Sequence, residues 1–266
     1  MTRDDVGLLL RAYAQLRAHV HDRLPDSVRI ERDGPLVRTV GFAGRGWITY
    51  RDLGGLDGEE LDALIARQVR FFEKRGEPFE WKLHGHDRPA DLRDRLRAAG
   101  FVAEEMETVV IGRVDAVAAE PQLPDGVAIR EVRERRDFAR IAQLQEAVWH
   151  QSHSWIDDLA EEREADPEGL RVFVAEAGDL TVSAGWARFP SRTDFVTFWG
   201  GATLPAWRGR GIYRALVAHR AGLAAERRRR YIEVDASEDS RPILARLGFV
   251  AVTTTTPYVW SPPSRR

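Results

Sequence analysis

The 266-residue sequence contains no cysteine. That absence excludes disulfides, thiolate nucleophiles, cysteine-ligated zinc and iron–sulfur clusters together. Lysine is nearly missing as well: Lys74 and Lys82 are the only two among 40 basic residues, so the basic surface is built from arginine. No apolar run approaches the length of a membrane span, and the opening MTRDDVGLLLRAYAQL has acids where a secretory leader needs bases. A cytoplasmic location is the expectation. Nor is there an excess of one charge. Forty-two acids against 40 bases leave −2, a balance that recruits neither nucleic acid nor anionic lipid. What remains is 43% hydrophobic and 31% charged, the make-up of an ordinary globular chain. Its length suits two domains of roughly 100–150 residues.

Hydrophobic periodicity divides the chain into two alternating α/β segments. In the first, a helix is expected over 6–24, then strands at 28–31, 36–42 and 47–50. A helix over 58–75 stops at Gly76, and a strand at 79–83, a short helix at 89–99 and a strand at 107–112 follow. Residues 114–126 (VDAVAAEPQLPDG) hold two prolines, a glycine and little periodicity, and read as a linker. The grammar then restarts with a helix at 137–150 and strands at 170–176, 182–189 and 195–204. A helix at 211–229, a strand at 231–235, a short helix at 242–247 and a strand at 253–260 complete it. The expected division is 1–113, a linker at 114–126, and 127–266. Each part would be a mixed sheet with helices on both faces. A faint repeat supports two copies of one unit: Gly100-Phe101-Val102 and Gly248-Phe249-Val250 are offset by 148 residues, as are Asp87 and Asp235. In each copy Asp87 or Ser240 is placed to cap the short helix.

The segment that carries chemistry is Thr203-Leu204-Pro205-Ala206-Trp207-Arg208-Gly209-Arg210-Gly211-Ile212-Tyr213-Arg214. A strand ends, a basic glycine turn follows, and an amphipathic helix begins. Glycines let the backbone approach a ligand closely, and the first amides of a helix point outward with a partial positive charge behind them. Such a turn suits a diphosphate, with Arg208 and Arg210 adding contacts to its oxygens. The pattern is neither a Rossmann fingerprint nor a Walker loop. Gly44-Arg45-Gly46 is an internal control: it precedes a strand and reads as a plain turn.

Residues 127–262 resemble the GNAT superfamily of acyl-CoA-dependent N-acyltransferases. The resemblance rests on Arg208-Gly209-Arg210-Gly211-Ile212-Tyr213 as the cofactor motif and on Leu244-Ala245-Arg246-Leu247-Gly248-Phe249 as the second landmark. It implies acetyl-CoA as cosubstrate, no metal, and a small-molecule amine as acceptor. The cofactor would be held at Ala202, Thr203, Leu204, Arg208, Gly209, Arg210, Gly211, Ile212 and Tyr213, with Ser237 touching the pantetheine arm. A backbone amide at about 202–204 would stabilise the thioester oxyanion. Three departures stand out. Tyr213 replaces a Gly or Ala, Leu244 stands where many members place an acidic tyrosine, and Phe198–Thr203 holds no carboxylate. Residues 28–112 resemble a degenerate copy, since the corresponding loop reads Arg51-Asp52-Leu53-Gly54-Gly55-Leu56-Asp57-Gly58 and its acids repel a diphosphate.

The candidate bases are Glu233 and Asp235, which also read as alternate strand positions with Asp235 capping a turn. Tyr258 is a candidate acid or a cross-strand packer. Trp149, His150, His153 and Trp155 follow the first helix of the second half and are candidate walls of an acceptor pocket. The His-x-x-His spacing has no adjacent third ligand, so no metal is expected there. An acyl-CoA-binding sensor without turnover is the alternative, favoured by Leu244 and the missing strand carboxylate.

Overall fold

The computed structural model describes residues 3–17, 19–21, 23–42, 44–150 and 155–263. In chain order the elements are α1 (Arg3–Arg17), β1 (Arg29–Asp33), β2 (Leu36–Val40), β3 (Gly46–Thr49), α2 (Gly58–Arg75) and β4 (Phe79–His84). Then come α3 (Leu92–Ala98), β5 (Val102–Ala103), β6 (Glu107–Arg113), α4 (Val114–Val117), β7 (Val127–Val132), α5 (Arg135–Trp149) and α6 (Trp155–Ala165). The chain ends with β8 (Leu170–Ala177), β9 (Leu180–Arg188), β10 (Phe195–Thr203), a 3₁₀ turn (Pro205–Trp207), α7 (Ile212–Glu226), β11 (Tyr231–Ala236), α8 (Arg241–Arg246) and β12 (Val250–Trp260).

Two compact units result. The first comprises 1–18, 26–109 and 252–266, and the second 19–25 and 110–251. Their boundaries differ from the division expected from composition, because the chain crosses between units inside β6 and again inside β12. In the first unit β1, β2 and β3 form an antiparallel meander. β3 pairs with β4 in parallel and β4 with β12 antiparallel. The crossover helix between the parallel strands is α2, which buries Leu61, Leu64, Ile65 and Phe72 on one face. It stops at Gly76, whose left-handed φ of 67° lets its amide and that of Glu77 close on the carbonyls of Glu73 and Phe72. Phe72 stacks on Phe79 at 4.1 Å, and a Cβ on Gly46 would lie 2.5 Å from the Phe72 ring. This core includes Tyr258, which is 2% exposed and sits opposite Trp81 in the β12–β4 register.

In the second unit β7, β8, β9 and β10 run antiparallel and β10 joins β11 in parallel. Successive side chains of a strand face opposite sides, and β8 shows the consequence. Val172 and Val174 pack with Phe138, Ile141, Leu144, Ile156 and Leu159 of α5 and α6, while Phe173 and Ala175 pack with Ile212 and Leu216 of α7. The sheet thus has helices on both faces, as the sequence pattern implies. The fold is mixed α/β.

Several local expectations are corrected. Helix α1 ends at Arg17 rather than at 24. The segment expected as a linker begins with α4, whose Val114 and Val117 are buried in the second unit's core while the Val114 amide donates to the Arg230 carbonyl. Helix α6 and strand β5 have no counterpart in the sequence reading. Asp87 does not cap α3, which begins after Asp91, and Ser240 precedes α8 without a side-chain cap bond. Arg45 of the control turn is held by Glu80 and Glu104, as befits a structural bend.

Candidate functional site

The parallel pairing of β10 and β11 runs from Phe195 opposite Tyr231 to Thr197 opposite Glu233. β10 continues to Thr203 and β11 to Ala236 beyond that pairing. On its other edge β10 follows β9, with a register shift between Trp199 and Ala202. A bulge of this kind bends a strand and re-aims its backbone groups. Its glycines are obligatory. Gly200 has φ +65°, and a Cβ there would fall 1.7 Å from the Trp186 ring, while a Cβ on Gly201 would lie 2.7 Å from the Tyr213 ring.

Past β10 the chain makes the 3₁₀ turn and enters the basic loop. Gly209 and Gly211 adopt left-handed φ values of 75° and 82°, and Gly211 is the N-cap of α7. A glycine cap supplies no side chain, so the first amides of the 15-residue helix meet no capping oxygen. Nothing lies within 4 Å of where a Gly209 Cβ would be, so the turn is open. The Arg208 guanidinium is exposed and its Nε donates to the Thr203 carbonyl at 3.2 Å, while Arg210 lies over the Trp207 ring at 4.7 Å. These residues fit a diphosphate: free amides, a positive helix end, two arginines and no acid in the loop.

Other expected cofactor contacts are modified by packing. The Ile212 side chain is buried in the core, which leaves its amide as the usable group. Tyr213 turns its ring onto Gly201, and burial pushes its hydroxyl pKa up. Leu204 is not a free donor, because its amide bonds the Val182 carbonyl at 3.0 Å. Ser237 is half-buried and its hydroxyl is shared with Ser240 at 3.2 Å in the turn before α8. Leu244 is fully buried in the core, so no hydroxyl stands at that position.

Of the candidate bases, Glu233 is 3% exposed and occupies the last paired position before the strands part. Asp235 follows two residues later on the same face of β11 and is half-buried. Tyr258, the candidate acid, is buried in the first unit's core. Among the acceptor-wall candidates, Trp149 and His150 are exposed at the end of α5, where His150 takes a left-handed φ of 56°. Trp155 is half-buried and its ring lies 5.5 Å from Trp186, the residue that covers Gly200. His153 lies outside the described residues. Among the described residues no group of three His, Asp or Glu side chains could hold a metal.

Sequence reasoning missed the groups behind the bulge. Arg220 of α7 is buried, donates from Nη1 to the carbonyls of Trp186 (3.0 Å) and Trp199 (3.4 Å), and lies over Phe198 at 4.4 Å. Burial pushes its pKa down to about 10. Gln145 and Ser183 also reach the bulge. The signal that could have found them is Gly200-Gly201 inside a strand, since strand glycines mark bulges and close approaches. The loop of the first unit contrasts with this site. A cavity of about 630 Å³ lies beside it, lined by Asp52, Asp57 and Asp87 together with Arg11, Arg17, Arg51 and Arg88, whereas the turn before α7 carries arginines and no acid.

A strand pair that parts beside a basic glycine turn and helix end defines an α/β domain whose loop has the chemistry to accept a diphosphate. Residues 133–249 match the model of the Acetyltransferase (GNAT) family, whose members are acyltransferases using acetyl-CoA as cosubstrate. Solved structures agree on the fold. A GCN5-related N-acetyltransferase from Kribbella flavida superposes with a TM-score of 0.67 at 14% identity, over 98% of this chain and 95% of that one. A functionally unknown conserved protein from Staphylococcus epidermidis gives 0.65 at 12% identity, over 89% and 95%. A tandem GNAT protein from the clavulanic acid biosynthesis pathway gives 0.63 at 14% identity, over 99% and 97%. No curated protein matches the sequence. No helix among the described residues is long and apolar enough to cross a membrane.

Proposed function

We propose that the second unit transfers an acetyl group from acetyl-CoA to the amine of a small molecule. The observation that carries this reading is the open turn at Gly209–Gly211, with its left-handed glycines and uncapped amides, at the start of α7. Acetyl-CoA supplies an activated acyl carbon and a thiol leaving group whose low pKa makes departure easy. The chain's part is to bind, orient and deprotonate. Arg208, Arg210 and the first amides of α7 hold the diphosphate. Glu233 or Asp235, at the mouth of the parting strands, accepts the proton that the amine loses as its nitrogen bonds the acyl carbon. The near-neutral charge balance fits a small acceptor better than a nucleic acid.

The test is calorimetric titration with acetyl-CoA, followed by thioester turnover against a panel of amines. Replacing both Arg208 and Arg210 by Ala should weaken acetyl-CoA binding about 10- to 100-fold, the loss expected for charge-assisted hydrogen bonds. Unchanged affinity refutes the site. A second reading, an acyl-CoA sensor, is favoured by the buried Leu244, which leaves that position without a proton donor. Binding without turnover of any amine selects it.

A further inference from the structure

Three buried side chains from three different elements converge on the bulge of β10. Gln145 of α5 donates from Nε2 to the Gly200 carbonyl at 3.1 Å. Ser183 of β9 donates from Oγ to the Ala202 carbonyl at 2.6 Å and shares a second bond with the Thr203 hydroxyl at 2.8 Å. Arg220 of α7 holds the Trp199 carbonyl and its cross-strand neighbour Trp186. Their exposures are 2%, 0% and 1%. Burying an amide, a hydroxyl and a guanidinium is costly unless each is spent on a specific bond. Arg220 is the most expensive of the three, since its guanidinium donates to the carbonyls of Leu216, Trp186 and Trp199.

The bonds have a directional consequence. In a trans peptide the N–H of one residue points opposite to the carbonyl of the residue before it. Fixing the carbonyls of Trp199, Gly200 and Ala202 therefore fixes the amides of Gly200, Gly201 and Thr203, aimed away from the three donors. Successive amides of an antiparallel strand face opposite edges. Leu204 gives its amide to Val182 of β9, so the Thr203 amide faces the other edge, the one along which β10 runs on past its pairing with β11.

From this geometry we infer that Gln145, Ser183 and Arg220 are positioning residues, a three-point clamp on the bulge of β10 that holds the Thr203 amide toward the open edge, where it polarises the acyl carbonyl. The inference rests on the proposed acetyl transfer and extends it to residues that touch neither cosubstrate. Arg220 also ties the bulge to α7, the helix whose first turn is the cofactor loop. Loop and amides are held by one element.

The test compares the wild-type chain with Gln145→Leu, Ser183→Ala, Arg220→Met and Arg220→Lys. Amide hydrogen exchange is read by mass spectrometry over 198–204 in the unliganded proteins, and the infrared carbonyl band of carbon-13-labelled acetyl-CoA is read in the bound state. The expected result is exchange about tenfold faster in that peptide for the Gln145 and Ser183 variants, as for loss of one buried hydrogen bond. The wild-type red shift of the carbonyl band should be lost with acetyl-CoA affinity unchanged, and Arg220→Lys should retain more of it than Arg220→Met. Where an accepted amine is in hand, kcat should fall with KM for acetyl-CoA unchanged. Folded variants with unaltered exchange overturn the clamp, and faster exchange with an intact carbonyl shift overturns its role in positioning. Ser183→Ala and Gln145→Leu nearly preserve volume, so the test stands even if Arg220→Met fails to fold. A wild-type chain that binds no acetyl-CoA overturns the reading of the loop and the positioning role with it, and that outcome is recognised from the wild type alone.

Discussion

At Asp87 a carboxylate is sealed inside the first unit by the Tyr50 hydroxyl at 2.6 Å, the His84 amide at 2.8 Å and the Arg17 guanidinium at 2.7 Å. Burial works to raise its pKa, but the hydrogen bonds from His84 and Tyr50 and the charge of Arg17 outweigh it and hold the carboxyl well below the usual range. A depressed carboxylate contributes stability that is fully present above its unfolded pKa of about 4 and drains away as pH falls through the lower folded value. Asp87→Asn should cost the first unit about 3 kcal/mol or more, because Arg17 is left buried without its countercharge. Urea melts at pH 7 and pH 3 should show the gap between variant and wild type narrowing in acid. Gly200 yields a second prediction. With a left-handed backbone and the Trp186 ring where a Cβ would go, Gly200→Ala should destabilise the second unit by about 2–4 kcal/mol. Pairing it with Trp186→Leu should recover part of the loss in denaturant melts, since the clash is with that ring.

Helix α7 joins two features of very different visibility. Its start was legible in the sequence because glycines and arginines in a turn act locally, and neighbouring residues decide the backbone. The clamp on its inner face was not, since Arg220 meets Trp186 and Trp199 only after three elements pack. Helix α6 was hidden for another reason: its short stripe of Ile156, Leu159 and Ala160 is embedded in a run of acids, and periodicity over three turns is weak. α4 was masked by the prolines that follow it. At this scale the prediction concerns salt. Arg208 and Arg210 are exposed, so acetyl-CoA binding should weaken as ionic strength rises, and the Arg208→Ala/Arg210→Ala protein should show a flatter dependence in the same titrations.

Across the whole molecule, pairing partners were the least legible quantity. Nothing near Tyr258 in the sequence says that its strand pairs with β4, whose Trp81 lies 177 positions earlier, rather than with the strand shortly before it. The element types around it follow from local pattern; its unit does not. Removing 252–266 therefore should unfold the first unit, which loses β12 with Tyr258 and Trp260, while the second unit loses none of its own residues. Limited proteolysis of the truncated chain should release fragments from 26–109 and spare 110–251.

The same crossing sets an order on biosynthesis. A ribosome delivers 26–109 early, yet that portion lacks its closing strand until 252–260 has been made. The later portion has all of its own residues as soon as position 251 emerges. Translation should thus hold the earlier-made half as an open meander that waits on 252–260, and the half made second is the first able to fold.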